Sequence, residues 1–385
     1  MDRGKRLVDI NFNNLIKENN LPEIGSKIVV AMSGGVDSSV TAALLHQAGY
    51  EVIGVTMKLY ESKSKKNPKT CCSGIDIADA RTVCKKLGIK HYIIDYESRF
   101  KEAVIDDFVD SYMNGQTPIP CIRCNQTVKF LDLIKFTKSI GSEILATGHY
   151  VKRVDGGKDI SLYQADDDLK DQSYFLFATT QSQLEYLRFP LGYFTKKKIR
   201  EMADYFGLVN ADKPDSQDIC FVPDGNYRDF IKKRIPATQK GNIINEKGEI
   251  IGEHNGIIDF TIGQRKGIGI GGLKGGGDQT PLYVVDIDRI KNNIIVGPKS
   301  SLKKFLIKIK ELNFFSHNFP NRSFEALVKI RSRKKLISAK IKDLNSKKRL
   351  ATVELSEPEF GVAPGQACVF YDNFKKIIGG GWITS

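Results

Sequence analysis

The stretch that most constrains this chain is AMSGGVDSSV, residues 31–40. It follows the apolar run KIVV and precedes residues that favour a helix from Asp37 to Gly49. Paired glycines between a buried strand and a helix let the backbone approach a ligand closely. Main-chain N–H groups and the helix dipole then face negative charge. In an open α/β sheet such a turn lies at the carboxyl end of a strand, where ligands bind. Ser33, Gly34, Gly35, Val36, Asp37 and Ser38, with Ala31 and Met32 leading in, are therefore the candidate anion cradle. A Walker A loop needs separated glycines and a lysine. Here the glycines are adjacent and the lysine is absent, which excludes a kinase- or GTPase-type loop.

Strand and helix alternate around this loop. EVIGVTMKLY and HYIIDY read as strands, IDIADARTVCKKLG and SRFKEAVIDDFVDSYMNG as helices. TPIPCIRCN interrupts, after which VKFLDLIKFTKSIG reads as helix and EILATGHY as strand. Short apolar strands between amphipathic helices predict a parallel sheet covered on both faces. Near residue 220 the pattern changes. NIINEKGEIIGEHNG and YVVDIDRIKNNIIVG read as hairpins, and FEALVKIRSR, ISAKIKDL, RLATVEL, QACVFYD and KIIGGGWI as short alternating strands. That is the pattern of a small β-barrel or sandwich.

The predicted class is α/β. A Rossmann-like α/β domain carrying the glycine loop covers residues 1–225, its first 25 residues an extension of no assigned role. A small β-rich central domain covers 226–295, and a basic β-barrel 296–385. GIGIGG at Gly267–Gly272 formally matches a dinucleotide loop, but no strand precedes it and no helix can follow. The lysine-rich segment KLYESKSKKNPKTCCSG reads as a polar surface loop.

Lys and Arg exceed Asp and Glu by 59 − 45 = 14, and the excess is uneven. Residues 301–350 carry eleven Lys and four Arg against three acidic residues, a net charge of +12. A basic surface concentrated in one region suits a polyanion such as nucleic acid. The N-terminus has no apolar secretory core, and no apolar stretch is long enough to span a bilayer, so a cytoplasmic protein with no membrane partner is expected.

Seven cysteines, an odd number, argue for thiols used in chemistry rather than a disulfide framework. Cys121 and Cys124 lie in PCIRCNQTVKF, at a loop entering a helix, and Cys220 lies in SQDICFV. A thiol at a helix start beside Arg123 gains thiolate character, and two such thiols permit a relay in which one carries a persulfide sulfur. The same three cysteines could instead hold an iron–sulfur cluster or zinc. Cys84 and Cys368 read as core residues.

S-G-G-x-D-S after the first strand resembles the signature of the ATP-pyrophosphatase (PP-loop) superfamily, whose members split ATP between the α- and β-phosphates to adenylate an oxygen. That resemblance sets the adenine against Met57 and Gly148. Further strings occur in order from about Lys27 onward: CIRCNQTVKFLDL, LATGHY, KDQSYFL, DSQDICFV, FTIGQRKGIGI and APGQACVFYD. Together they resemble the bacterial tRNA-specific 2-thiouridylase family.

This resemblance implies a monomeric, ATP-dependent tRNA sulfurtransferase that replaces O2 of the wobble uridine with sulfur. Cys220 would receive the sulfur as a persulfide from a donor protein. Cys124 would act as the nucleophile and end in a transient disulfide with Cys220. Mg²⁺ would ride on the ATP phosphates, and no metal site of the protein's own is expected, with Asp166–Asp168 read as a solvated turn. Contacts to tRNA would fall at Ile119, Pro120, Cys121, Lys170, Asp171, Gln172, Arg331 and Ser332, with His149 and Gln366 nearby. One departure stands out: many relatives have Asn-Pro-Asp where this chain has Ile119-Pro120-Cys121, so a thiol replaces an acid three residues before Cys124. The competing readings are an iron–sulfur-dependent tRNA thiolase using the same cysteines and a PP-loop amidotransferase or synthetase acting on a small metabolite. A non-catalytic RNA-binding protein is a further one.

Overall fold

The structure is a computed structural model that describes residues 10–60, 74–215, 218–222, 225–270, 281–316, 319–320 and 322–384. Cys71, Cys72, most of the lysine-rich segment around them and residues 271–280 lie outside the described residues.

The first part begins with a short helix, Phe12–Glu18, within the extension left unassigned by sequence. Its Leu15 is buried in an apolar cluster with Leu21, Ile28 and Leu45, and Tyr193 Oη donates to the Glu18 carbonyl. Then follow β1 (Lys27–Ala31), the helix Val36–Gln47, β2 (Glu51–Lys58), the helix Gly74–Leu87 and β3 (Lys90–Asp95). Helical segments over 97–113 and 120–139 lead to β4 (Ile144–Ala146), an antiparallel hairpin of β5 (Val151–Asp155) and β6 (Ile160–Gln164), and β7 (Leu187–Arg188). The sheet runs β3-β2-β1-β4-β7 with every pairing parallel, as the alternation predicts.

β1 and β2 are apolar because both faces are covered. β3 differs, since as an edge strand it leaves Tyr92 and Ile93 substantially exposed. The helix Val36–Gln47 is buried over Ser38–Leu45, because the helix Lys196–Tyr205 covers the side turned away from the sheet. Strand order reverses between β1 and β4, and the crevice at their carboxyl ends is where an open α/β sheet takes its ligand.

The central part is a four-stranded sheet in the order β10-β11-β8-β9, from β8 (Gly241–Asn245), β9 (Ile250–His254), β10 (Tyr283–Asp288) and β11 (Asn293–Gly297). Both predicted hairpins are present, and β8 and β11 join them in parallel. The last part is a closed barrel, β12-β15-β14-β13-β16-β17, rather than a sandwich. Its strands are β12 (Lys303–Phe314), β13 (Phe324–Lys329), β14 (Ile337–Asn345), β15 (Leu350–Phe360), β16 (Ala367–Tyr371) and β17 (Ile377–Ile383). Alternation fills the interior: Ile307 and Ile309, Ala326 and Val328, Ile337, Ala339 and Ile341 all point inward.

One apolar core joins the three parts. It takes Val29, Met57 and Leu145 from the parallel sheet, Phe230 and Ile258 from the central region, and Val369, Tyr371 and Trp382 from the barrel.

Candidate active site

The glycine turn leaves the end of β1 and closes on itself. Ser33 N donates to Ser38 Oγ at 3.1 Å, and the Ser38 and Ser39 hydroxyls donate back to the Gly35 carbonyl at 3.2 and 2.9 Å. Gly34 has φ +74°, and a methyl group there would overlap the Asp76 carbonyl. Both the backbone angle and the space therefore require glycine. Gly148, at the end of β4, lies against the helix start, since a Cβ on it would sit 2.9 Å from Asp37 C and Ser38 N. Met57 is buried near the end of β2, and Met32 N donates to the Val55 carbonyl at 2.8 Å, tying the turn to that strand. The predicted cradle and the two predicted adenine positions thus surround the crevice between β1, β2 and β4.

Asp37 is the electrostatic centre of the turn. Lys196 Nζ donates to both its oxygens at 2.7 and 2.8 Å, and Tyr150 Oη donates at 2.7 Å. Burial, then the Asp37 charge, pushes the Tyr150 phenol well above its ordinary range, so it remains a donor. The next residue back, His149, has Nδ1 2.8 Å from Thr147 Oγ1 and sits edge-on to Phe130 and Phe189. Burial and the Lys129 charge lower its pKa to about 3, which keeps the imidazole neutral near pH 7.

The loop carrying Lys170, Asp171 and Gln172 makes three separate attachments. Lys170 Nζ reaches Asp215 Oδ2 at 2.7 Å. Gln172 Oε1 accepts from Tyr150 N at 3.0 Å. The Asp171 carboxylate accepts from Ser173 Oγ at 2.8 Å and pairs with Lys329 of the barrel at 3.4 Å. Asp166 and Asp168 form ion pairs with Lys152 and Lys375, so the acidic run is a paired surface turn.

A cleft of about 440 Å³ opens where the barrel meets the first part, and Ile119, Arg331, Ser332 and Gln366 line it. Gln366 Nε2 donates to the Thr117 carbonyl at 2.7 Å and Arg331 to the Gly361 carbonyl, which fixes both groups at the rim. Sequence reasoning missed Phe175 and Arg333, which line the same cleft. Phe175 lay inside the recognised KDQSYFL string, and an aromatic beside predicted contact residues was the available signal.

Pro120 opens a helical turn, Pro120–Arg123, so the thiols lie inside a helix and not in the loop before it. Cys121 is exposed on the first turn, whereas Cys124 is buried at the start of a wider π-helical turn, Cys124–Lys129. Arg123 turns toward the barrel, with its guanidinium 4.5 Å from the Trp382 ring centre and 3.1 Å from Glu311. Cys124 belongs to the shared core, and the half-buried Cys220 packs against it. Cys84 and Cys368 are core thiols with pKa values raised by burial, Cys84 to about 12. Among the described residues, no three His, Cys, Asp or Glu side chains gather as a metal site, so Cys121, Cys124 and Cys220 do not form a cluster-binding set. No described helix is long and apolar enough to cross a membrane.

A parallel sheet whose first strand runs into this glycine turn defines a nucleotide-binding α/β protein. In keeping with that, residues 26–224 match the tRNA methyl transferase HUP domain family. Residues 228–298 match the companion PRC-barrel domain and 304–383 the aminomethyltransferase beta-barrel domain. A tRNA-specific 2-thiouridylase MnmA of Rickettsia canadensis is 52% identical over 370 residues, 95% of this chain and 98% of the relative. Another of that name from Maricaulis maris is 50% identical over 93% of this chain and 87% of its own length. The chain belongs to the tRNA-specific 2-thiouridylase family. Among solved structures, a 4-thiouridine synthetase–RNA complex with bound ATP aligns with TM-score 0.36 and 19% identity, covering 55% of this chain and 51% of that one.

Proposed function

We propose that this protein is an ATP-dependent tRNA 2-sulfurtransferase that converts the wobble uridine of tRNA to 2-thiouridine. The observation that carries the reading is a pairing of two chemistries on one sheet. An anion-binding turn lies at the β1–β4 crevice, and Cys124 and Cys220 lie on the apolar core that covers Met57 of the same sheet. The names of the relatives at about 50% identity support it.

In this reading the backbone N–H groups of Ser33–Ser38 hold the phosphates of ATP. Uridine O2 attacks the α-phosphorus, the N3 proton leaves, and pyrophosphate departs with its charge stabilised by those N–H groups. Cys220 carries a persulfide supplied by a donor protein, and its terminal sulfur attacks C2 and expels AMP. The Cys124 thiolate then attacks Cys220 Sγ, and the S–S bond breaks to leave sulfur on the base. The resulting Cys124–Cys220 disulfide is reduced by an external thiol.

Mg²⁺ enters with ATP, since both Asp37 oxygens are already held by Lys196. The iron–sulfur and small-metabolite alternatives are not favoured. The barrel-side cleft suits an unstacked base from the anticodon loop, with Phe175 as an apolar platform and Arg331 and Arg333 for phosphates. We assign the adenylating, connecting and RNA-holding roles to residues 1–225, 226–295 and 296–385, in a monomer acting in the cytoplasm.

The test is mass-spectrometric detection of 2-thiouridine in tRNA incubated with ATP and a persulfide source. Cys124→Ser and Cys220→Ser should each lower its formation at least 100-fold, with tRNA affinity changed less than threefold. Undiminished thiolation by the Cys220→Ser variant would remove the relay.

A further inference from the structure

Cys220 is flanked in sequence by two well-held residues of opposite character. On its C-terminal side Phe221, 1% exposed, packs edge-on against Phe100 and Phe108 and tilted against Phe230, with ring centres 5.6, 5.3 and 5.3 Å away. On its N-terminal side Asp215 gathers three cations from separate places. Lys170 and Lys196 each approach at 2.7 Å, and Arg200 at 3.3 Å. Burial opposes ionisation of this carboxyl, but the hydrogen bonds and charges of Lys170 and Lys196 outweigh it and hold the group below its ordinary range.

Lys196 is shared with the glycine turn, because the same ammonium holds Asp37. Three further bonds run between the same segments. Asn210 Nδ2 donates to the Gly34 carbonyl at 3.0 Å and to Ser39 Oγ at 2.9 Å, and Lys213 Nζ donates to the Gly34 carbonyl at 3.2 Å. The stretch from Asn210 to Asp215 is therefore fastened to the phosphate turn at three points.

We infer that Asp215 is a positioning residue for sulfur transfer: through Lys196 it sets the segment bearing Cys220 in register with the phosphate turn. The inference rests on the sulfur transfer proposed above. An Asp215→Asn change leaves Lys196 on Asp37 and leaves the internal bonds of the turn intact, while Cys220 loses its charged anchor. Adenylation then continues and sulfur delivery lags. Water attacks the waiting adenylated uridine, returning uridine and AMP, so ATP is consumed without product.

The experiment measures pyrophosphate released and 2-thiouridine formed in the same sample. It uses full-length protein, tRNA, ATP and a cysteine desulfurase with cysteine as the persulfide source. Wild type should give about one pyrophosphate per 2-thiouridine. Asp215→Asn should raise that ratio at least fivefold while pyrophosphate release stays within threefold of wild type, and Asp215→Glu should bring the ratio back toward one. A ratio that stays near one in Asp215→Asn, whether both rates hold or both fall, overturns the inference. If that variant does not fold, Arg200→Gln removes one clamp from the same carboxylate and must raise the ratio at least twofold; an unmoved ratio there overturns it equally. A wild type that forms no 2-thiouridine refutes the proposed function itself, whereas a thiolating wild type with an unmoved variant ratio refutes only the role of Asp215.

Discussion

Gly34 is where one residue decides most. Its positive φ costs any other L-residue about 1–2 kcal/mol, and the Asp76 carbonyl leaves no room for a side chain. Gly34→Ala should therefore shift the turn and lower tRNA-dependent pyrophosphate release at least tenfold, measured beside a melting curve that drops only a few degrees. This constraint was legible in the sequence because it is local, two glycines between an apolar run and a helix. The roles of Asp171 and Lys196 were not legible. Asp171 looked like a group available to RNA, yet its carboxylate is occupied by Ser173 and Lys329, the latter 158 residues away. Lys196 carried no motif, and only the folded chain brings it to Asp37 and Asp215.

Among elements, the helical run 120–139 bears the most. It begins with a proline whose missing N–H costs nothing at a helix start, and it widens into a π turn at Cys124. Sequence periodicity located this helix but started it after the thiols, because two prolines in TPIPC read as a break. The strands of the barrel were readable from alternation, apart from β12, whose KKFLIKIKELNF was not singled out. Arg123 shows how that strand and this helix meet, through Glu311 of β12 and Trp382 of β17. Replacing Arg123 with Ala removes a partly exposed ion pair and a cation–π contact together. The expected loss is about 1–2 kcal/mol of stability, read by urea denaturation of the full chain. A change within error would show that the barrel needs no such clasp.

Across the whole molecule, charge and core tell different stories. The net +12 of residues 301–350 was countable from sequence, whereas the single apolar core running through all three parts was not, since it is assembled from residues hundreds of positions apart. If about six of those cations meet tRNA phosphates, log affinity should fall against log salt with a slope near −4, about 250-fold between 50 and 200 mM. A slope near zero would return the lysines to plain surface solvation. The loop at 170–172 carries one more implication. Lys329 of the barrel is nearly enclosed in the folded chain, and its counter-ion, Asp171, sits on a loop of the nucleotide-binding part. A barrel expressed alone would leave that ammonium without its carboxylate and open Val369, Tyr371 and Trp382 of the shared core to water. Split reporters or chimaeras that treat these last strands as a detachable module therefore start from a piece already damaged by the cut.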